Sequence, residues 1–294
     1  MTPHASPSHN SNSPSTSSRR RPRVCVLGAT LGTGNLGVDA LGISAVQGLL
    51  AAMGDVEIVF QNWRHDRNVE IPIAQRKIVC KGLVVGSKES WRRRDGIRHM
   101  RALARWRKRW PWVRSVDAVS RALRRLASCD VALDVSAGDS FADIYGEEVF
   151  WYQTEIKELC LDLGVPLILM PQTYGPFHHD ATAATAGSIL SRSALACTRE
   201  AEGRREIESL CGDLPVPPIV QTPDMACNLL PTETDLPAEL STGASDDTVI
   251  GLNVSGLLYF QCRDIGLETD YVELTRRLID WALAKPNVKL MLIP

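Results

Sequence analysis

Three polar, glycine-containing segments, each placed directly after a short apolar run, constrain the fold of this chain most strongly. They occupy residues 28–39 (GATLGTGNLGVD), 134–143 (DVSAGDSFAD) and 171–177 (PQTYGPF). Each is followed by a helical pattern, so each joins a predicted strand to a predicted helix. Loops of this kind meet at the carboxyl ends of the strands in a doubly wound sheet, where ligands bind.

The alternation of strand and helix patterns continues along the chain. Strands are predicted at 24–27, 56–60, 131–135, 165–170, 195–198 and 219–221, and helices at 35–53, 147–163, 181–193 and 200–210. Repeated βα units predict an α/β fold with a mainly parallel sheet and helices on both faces. A further βαβ pattern has strands at 249–254 and 288–293 around a helix at 269–284.

We divide the chain into four segments. Residues 1–23 are rich in Ser, Pro and Asn and are interpreted as a disordered tail. Residues 24–230 form a first Rossmann-like domain, and 231–247 form a polar linker. Residues 248–294 begin a second Rossmann-like domain. Two core strands and one helix would leave most of that sheet open to water, so we expect this domain to be C-terminally truncated.

Composition is that of an ordinary globular protein, with 44% apolar and 23% charged residues and a net charge of −1. No apolar run reaches the roughly 18 residues of a membrane helix. Eight cysteines are scattered without Cys-x-x-Cys spacing. They are interpreted as buried free thiols of a cytoplasmic protein, without a metal site.

An arginine-rich insertion is predicted at 88–127. Between Trp91 and Arg125 it contains twelve arginines and two aspartates, interleaved with tryptophans. One interpretation is a solvated helical insertion anchored by its tryptophans. The other is a surface for anionic lipid headgroups or a phosphate-bearing acceptor, at the inner face of the membrane. No recognised nucleic-acid motif accompanies the arginines, so we expect no nucleic-acid partner.

The first loop has the features of an anion site, because a helix N-terminus and glycine backbone N–H groups surround one volume. We expect positive φ angles at Gly32, Gly34 and Gly37. The glycine spacing also fits a dinucleotide fingerprint, but Gln61 stands where an acidic residue is required. A tight turn without a ligand is the alternative. Asn35 and Asp39 lie on one side of the first helical turn, although Asn35 also suits a helix N-cap.

The second and third loops supply the remaining candidates. Asp134, Asp139 and Asp143 are so close in sequence that repulsion should raise the pKa of at least one carboxyl, as acid or base chemistry requires. Helix capping by Asp139 or Ser140 is the alternative. In the third loop Tyr174-Gly175-Pro176-Phe177 is expected to present an aromatic wall beside a cleft, and such a wall suits a sugar ring.

Together the three segments resemble the polysaccharide pyruvyl transferase family. That family has a Gly-Asn-x-Gly-Asp-like first loop, a Gly-Gly-[Ser/Asp] second loop preceded by an Asp, and a Gly-Pro-Phe third loop. Asp39, Arg199 in Arg199-Glu200, and Asp224 also match family positions. Two departures are the interposed Val38 and Ala137, which replaces the first glycine of the second loop.

The resemblance implies two Rossmann-like domains arranged as in B-type glycosyltransferases. It implies transfer of a pyruvyl group from phosphoenolpyruvate to a sugar of a surface polysaccharide or lipid-linked glycan, giving a ketal, with no cofactor beyond that co-substrate. Family members also have an Arg-x-His element in the second domain, which is expected beyond residue 294, so we expect the chain alone to be inactive. The implied catalytic residues are Asp39, Asp139, Asp143 and Arg199; the implied substrate- or donor-binding residues are Gly32, Gly34, Asn35, Gly37, Gly138, Ser140, Tyr174, Gly175, Asn253 and Ser255.

Two alternatives remain. One is a nucleotide-sugar glycosyltransferase on the same architecture. The other is a binding protein of a glycan-synthesis cluster whose catalytic site has decayed, which Ala137 and Val38 would fit.

Overall fold

The structure is a computed structural model that describes residues 20–32, 34–62, 67–73, 75–85, 96–109, 121–231, 248–261 and 266–293. The chain divides into two compact units between Leu230 and Pro231. Most of the predicted tail and of the predicted linker lies outside the described residues.

The first unit contains a sheet of eight strands. They are β1 (Arg23–Leu27), β2 (Glu57–Gln61), β3 (Val69–Ile73), β4 (Arg76–Leu83), β5 (Val131–Asp134), β6 (Leu167–Gln172), β7 (Leu195–Thr198) and β8 (Ile219–Gln221). Their spatial order is β3-β4-β2-β1-β5-β6-β7-β8, and every described pair except β3–β4 is parallel. The mainly parallel α/β sheet is confirmed. The strand order reverses between β1 and β5, which makes this position the topological switch point.

The sequence did not predict the β3–β4 hairpin. Its side chains alternate between buried positions such as Cys80 and exposed charged ones such as Lys81. An antiparallel pair at a sheet edge keeps one face in water, so its strands lack the continuous apolar runs of the central strands. Pro72 in β3 is tolerated at this edge because no further described strand pairs with it there.

Helices cover both faces of the sheet, as predicted. The helices of the first unit are α1 (Leu36–Met53), α2 (Ile97–Arg109), α3 (Arg121–Ala127), α4 (Glu147–Leu163), α5 (Asp180–Arg192) and α6 (Gly203–Cys211). Side chains of β1 alternate between the two faces. Val24 and Val26 pack in the core beneath α1, while Cys25 and Leu27 pack in the core formed with α2 to α6.

The described part of the arginine-rich insertion packs onto the first unit. Ile97, Met100 and Ala104 of α2 are buried in its core. On the same helix Arg101 pairs with Glu158 and Asp162 of α4, and Arg105 also pairs with Asp162. These two arginines therefore help to hold α2 against α4. Three of the four tryptophans lie outside the described residues, so membrane contact stays a prediction.

Helix α1 is the described helix whose length and mean hydropathy of 1.6 meet the criteria for a membrane span. Its buried residues pack against the sheet, and core helices often have the same composition. All described cysteines are free, and all of these except Cys227 are buried.

The second unit contains strands β9 (Thr248–Asn253) and β10 (Val288–Ile293), which are parallel, and helices α7 (Gly256–Gln261) and α8 (Tyr271–Leu283). Large apolar side chains are exposed on it, including Trp281, Leu283 and Leu292. That this unit is the truncated beginning of a larger domain stays a prediction.

Candidate functional site

The loops after β1 and β5 touch at the switch point through Gly28. Its N–H donates to Gln61 Oε1 (2.9 Å), and its carbonyl accepts the N–H of Ala137 (2.7 Å). Gly28 has φ +75°, and a Cβ there would overlap Ser136 N and lie 2.8 Å from Asp134 Oδ1. Only glycine fits, because both the backbone conformation and the close approach exclude a side chain. Gln61 occupies the position at which a dinucleotide site needs an acidic residue. Its side chain instead holds the first loop by accepting the Gly28 N–H.

Farther along the first loop the backbone is open. Gly32 (φ +72°) and Gly34 (φ +91°) adopt the expected left-handed conformation, and a Cβ on either would meet nothing within 4 Å. The same expectation is wrong for Gly37, which lies in the first turn of α1. The exposed backbone at Gly32 and Gly34 can be approached by a ligand.

Asn35 and Asp39 both turn back onto the first loop. The Asn35 side chain caps α1 by accepting the N–H of Val38 (3.2 Å). The Asp39 carboxylate accepts the N–H of Gly32 at 3.1 and 3.3 Å. An anionic ligand at this N–H must therefore displace Asp39. Nearby, the Thr30 hydroxyl is buried without a hydrogen-bond partner among the described residues.

Asp134 and Lys157 form a fully buried ion pair behind the second loop. Lys157 Nζ lies 3.1 Å from Asp134 Oδ1, and Asp134 Oδ2 accepts the Ser136 hydroxyl at 2.6 Å. Burial lowers the pKa of Lys157, and the attraction of Asp134 opposes that shift. Lys157 is not among the residues that the sequence predicted for the site. The available signal was its helical spacing with Phe150, Thr154 and Cys160, which all face the core.

The turn after β5 has a strained backbone. Ser136 (φ +42°), Ala137 (φ +49°) and Gly138 (φ +90°) are consecutive residues with positive φ. Positive φ is unfavourable for a residue with a Cβ, and two such residues persist only where their surroundings hold them. Ala137 occupies this conformation at the position where the resembled family has glycine.

The Asp143 carboxylate holds the segment that leads into α5. Its buried carboxylate accepts the N–H groups of His178 and His179 and the hydroxyl of Thr182, and it contacts the His178 ring at 2.9 Å. Burial alone would raise the pKa of Asp143, but the hydrogen bonds from Thr182 and His178 outweigh it and lower the pKa to about 2. The expectation of a raised pKa is wrong for this carboxyl.

The three aspartates of the second loop have separate partners. Asp139 is half-buried and accepts the hydroxyl of Tyr145 (2.8 Å), whose pKa is raised to about 12 by burial and by this bond. Ser140 is buried, and its N–H donates to Ser136 O (2.8 Å). Since Asp134 faces Lys157 and Asp143 faces α5, Asp139 is the carboxylate of this loop that is open to solvent.

Tyr174 does not form the expected aromatic wall. It is 3% exposed, its hydroxyl donates to Cys197 O (2.9 Å), and its ring packs edge-on against Phe141. Burial raises its pKa well above the ordinary value. Gly175 has φ +81°, and its N–H donates to Phe141 O (3.0 Å). Both residues join the third loop to the second, and the prediction of a sugar-facing wall at Tyr174 is wrong.

Arg199 joins the ends of four strands. It is paired with Asp224, Nη1 to Oδ2 at 2.6 Å, and its Nε and Nη2 donate to Thr173 Oγ1 at 3.2 and 3.0 Å. A Cβ on Gly138 would lie 3.0 Å from Nη1, so that residue must stay small. These contacts fix the Arg199 guanidinium at the edge of the sheet. About a quarter of the Arg199 side chain is nevertheless exposed, so the cation is accessible at this edge.

The candidates in the second unit make local contacts. Asn253 Nδ2 donates to Ile293 O (3.2 Å) across the two strands. The N–H of Ser255 donates to the Tyr271 hydroxyl (3.1 Å), and its own hydroxyl accepts the N–H of Leu258 (3.3 Å). A binding role for either residue stays a prediction. Within the described ranges, no cluster of three His, Cys, Asp or Glu residues could hold a metal.

An apolar cavity of about 430 Å³ lies between α1 and the strands β5 to β7. Its lining includes Ala45, Gly48, Met170 and Cys197, and Asp224 at its border. It shares only Asp224 with the polar cluster around Arg199, so it does not contain the groups that could carry chemistry.

Comparison with known proteins identifies a family for this chain and a weak likeness to a solved structure. The family model described as polysaccharide pyruvyl transferase matches residues 35–293. No curated protein matches the chain. Among solved structures, MurG of Acinetobacter baumannii matches with a TM-score of 0.38 and 13% identity, over 93% of this chain and 66% of that one.

Proposed function

The chain belongs to the polysaccharide pyruvyl transferase family, and we propose that the whole protein transfers a pyruvyl group from phosphoenolpyruvate to a sugar hydroxyl. The sugar would be part of a surface polysaccharide or of a glycan precursor. One observation carries this proposal. The first loop, the second loop with Asp139, and Arg199 meet at the carboxyl edge of one sheet.

The chemistry requires few groups. Protonation of the donor methylene makes C2 electrophilic, a sugar hydroxyl adds to C2, and phosphate then leaves. A second hydroxyl of the same sugar closes the ketal. Of the two hydroxyl protons, one balances the proton added to the methylene and the other leaves with phosphate. Such a reaction needs a cation or N–H groups for the donor anion and a carboxylate for the hydroxyl.

The described residues offer those groups in different places. Arg199 and the open backbone at Gly32 and Gly34 suit the donor anion. Asp139 is the half-buried carboxylate that suits a sugar hydroxyl, because a carboxylate accepts hydrogen bonds. Asp39 is less suited to contact the donor directly, since its charge would repel it. We propose that Asp39 holds the first loop until the donor arrives.

Donor binding tests the proposal most directly. We expect the full-length protein to bind phosphoenolpyruvate, and not UDP-glucose, in isothermal titration calorimetry. Gly34→Val should raise the dissociation constant at least tenfold, about 1.4 kcal/mol, because its side chain enters the open side of the loop. Gly54→Val is the matched control: Gly54 also has positive φ (+66°) and open space, but it ends α1 at the opposite end of the helix.

Three results would contradict the proposal in different ways. Binding of UDP-glucose but not phosphoenolpyruvate would indicate a glycosyltransferase. Binding of neither would favour a decayed site. Equal weakening in both glycine variants would show that backbone strain, and not access to the first loop, had reduced binding.

A further inference from the structure

Lys157 is the most deeply buried cation in the described first unit that the proposed chemistry does not use. Its ammonium contacts Asp134 (3.1 Å), donates to Gln153 O (2.8 Å) and lies 5.4 Å from the centre of the Phe141 ring. Its side chain and that of Asp134 are both fully buried. Removing one charge of such a pair leaves the other uncompensated in the interior, so the two side chains depend on each other.

The ion pair is connected to the strained turn. Asp134 Oδ2 accepts the hydroxyl of Ser136, the first of the three residues with positive φ. This bond attaches the Ser136 side chain to the end of β5. The hydrogen bond from the Ala137 N–H to Gly28 O fixes the turn from the side of the first loop.

The strained turn also borders both parts of the candidate site, which are the first loop and Arg199. Ser136 lies against Gly28 so closely that no Cβ fits between them, and Gly138 lies against the guanidinium of Arg199. The carbonyl of Gly138 also accepts the N–H of Thr173 (2.9 Å), whose hydroxyl binds Arg199. A change in the turn therefore changes the position of Arg199 relative to the first loop.

We propose that Lys157 is a positioning residue, which acts through Asp134 and Ser136 to hold the left-handed turn and thereby sets the placement of the first loop and Arg199. It touches no reacting atom. Its effect on donor binding rests on the function proposed above, whereas its effect on the turn does not.

Hydrogen exchange of the full-length protein, read by mass spectrometry with fragmentation to single amides, tests the structural step. In Lys157→Met we expect the N–H groups of Ala137 and Gly138 to exchange at least about tenfold faster, as loss of about 1.4 kcal/mol of local stability implies. Amides of β7, which do not contact the pair, should change far less. Lys77→Met is the matched control, because it breaks an exposed ion pair with Glu70.

A second variant keeps the proposal testable if Lys157→Met does not fold. Ser136→Ala removes only the hydroxyl that Asp134 accepts and leaves the ion pair intact. It should accelerate exchange of the same two amides at least about tenfold, which is about 1.4 kcal/mol, because the lost hydrogen bond is made to a charged carboxylate. Uniform acceleration across the sheet in Lys157→Met, or unchanged exchange of both amides in Ser136→Ala, would overturn the positioning role.

Phosphoenolpyruvate titration then separates this proposal from the proposed function. Both variants should raise the dissociation constant for phosphoenolpyruvate, whereas Lys77→Met should change neither that constant nor the melting temperature. Weakened stability with unchanged affinity would overturn the link from turn to site. Failure of the unmodified protein to bind would contradict the proposed function, and the exchange result would still decide whether Lys157 holds the turn.

Discussion

The loop after β1 and the turn after β5 lie side by side at the switch point, but they are built in opposite ways. The outer part of the first loop is open around Gly32 and Gly34. The turn is buried, strained at Ser136 and Ala137, and joined to a buried ion pair. The open loop can admit a ligand, while the turn can only support one. A side chain added at a glycine of the open loop would therefore obstruct a ligand, whereas one added in the turn would disrupt the packing.

The largest expected effect is on stability, from a side chain at the contact between the two regions. Gly28→Ala should lower the free energy of unfolding by at least about 3 kcal/mol, because strain at positive φ adds to overlap with Ser136. Gly34→Ala has the same backbone requirement without the overlap and should lower it by about 1 to 2 kcal/mol. Urea denaturation measures both. Equal losses would show that the two regions do not differ in packing.

A smaller effect is expected from Asp143→Asn. This variant tests whether the C-terminal end of the second loop has a structural role. The carboxylate accepts several hydrogen bonds, so we expect a loss of about 2 kcal/mol at neutral pH. Asp139→Asn, which alters one exposed bond to Tyr145, should lose about 0.5 kcal/mol or less.

The pH dependence of the Asp143 effect has a definite sign. The pKa of Asp143 is lowered to about 2 in the folded protein, from an ordinary value of 3.8. Its contribution to stability is therefore complete above about pH 4 and is lost as pH falls towards 2. Denaturation of the wild type and Asp143→Asn at pH 7, 4 and 3 should show the difference shrinking only below pH 4. A difference independent of pH would mean that the charge of Asp143 contributes nothing.

A small effect of the opposite sign is expected from Ala137→Gly. Glycine removes the strain of φ +49° but gains freedom in the unfolded chain, so we expect a net stabilisation of about 0.5 kcal/mol. Ala184→Gly in the exposed part of α5 is the matched control and should lose about 1 kcal/mol. Thermal melts that show destabilisation by Ala137→Gly would contradict the strain seen in the turn.

Local sequence predicted the central elements because each has a strong pattern. The strands around Val24 and Val131 are continuous apolar runs, and α4 matches its predicted bounds of 147–163. The β3–β4 hairpin was missed because a half-solvated edge pair has no such run. The position of the site at the carboxyl edge also followed from sequence, since parallel strands place their following loops at one edge.

Roles of single residues were harder to predict, because they depend on which side chains meet. Close spacing of Asp139 and Asp143 indicated mutual repulsion, yet the fold turns each toward a different partner and lowers the pKa of Asp143. Tyr174 was expected at the surface, but its hydroxyl is satisfied inside by Cys197. Thr182 lies 39 residues from Asp143 and Cys197 lies 23 residues from Tyr174, so no local pattern could have shown these two contacts.

By itself, the sequence of this protein determined the α/β class, the three loops and the family. Periodicity and glycine spacing encode the class and the loops directly, because they fix backbone conformation over short ranges. The family followed from the resemblance of the loop motifs. Only the tertiary structure decided that Asp143 holds the segment before α5, that Arg199 is paired with Asp224, and that Lys157 is buried against Asp134. Burial and pairing across long sequence separations set the charge state and exposure of a side chain, and these properties exist only once the chain has folded.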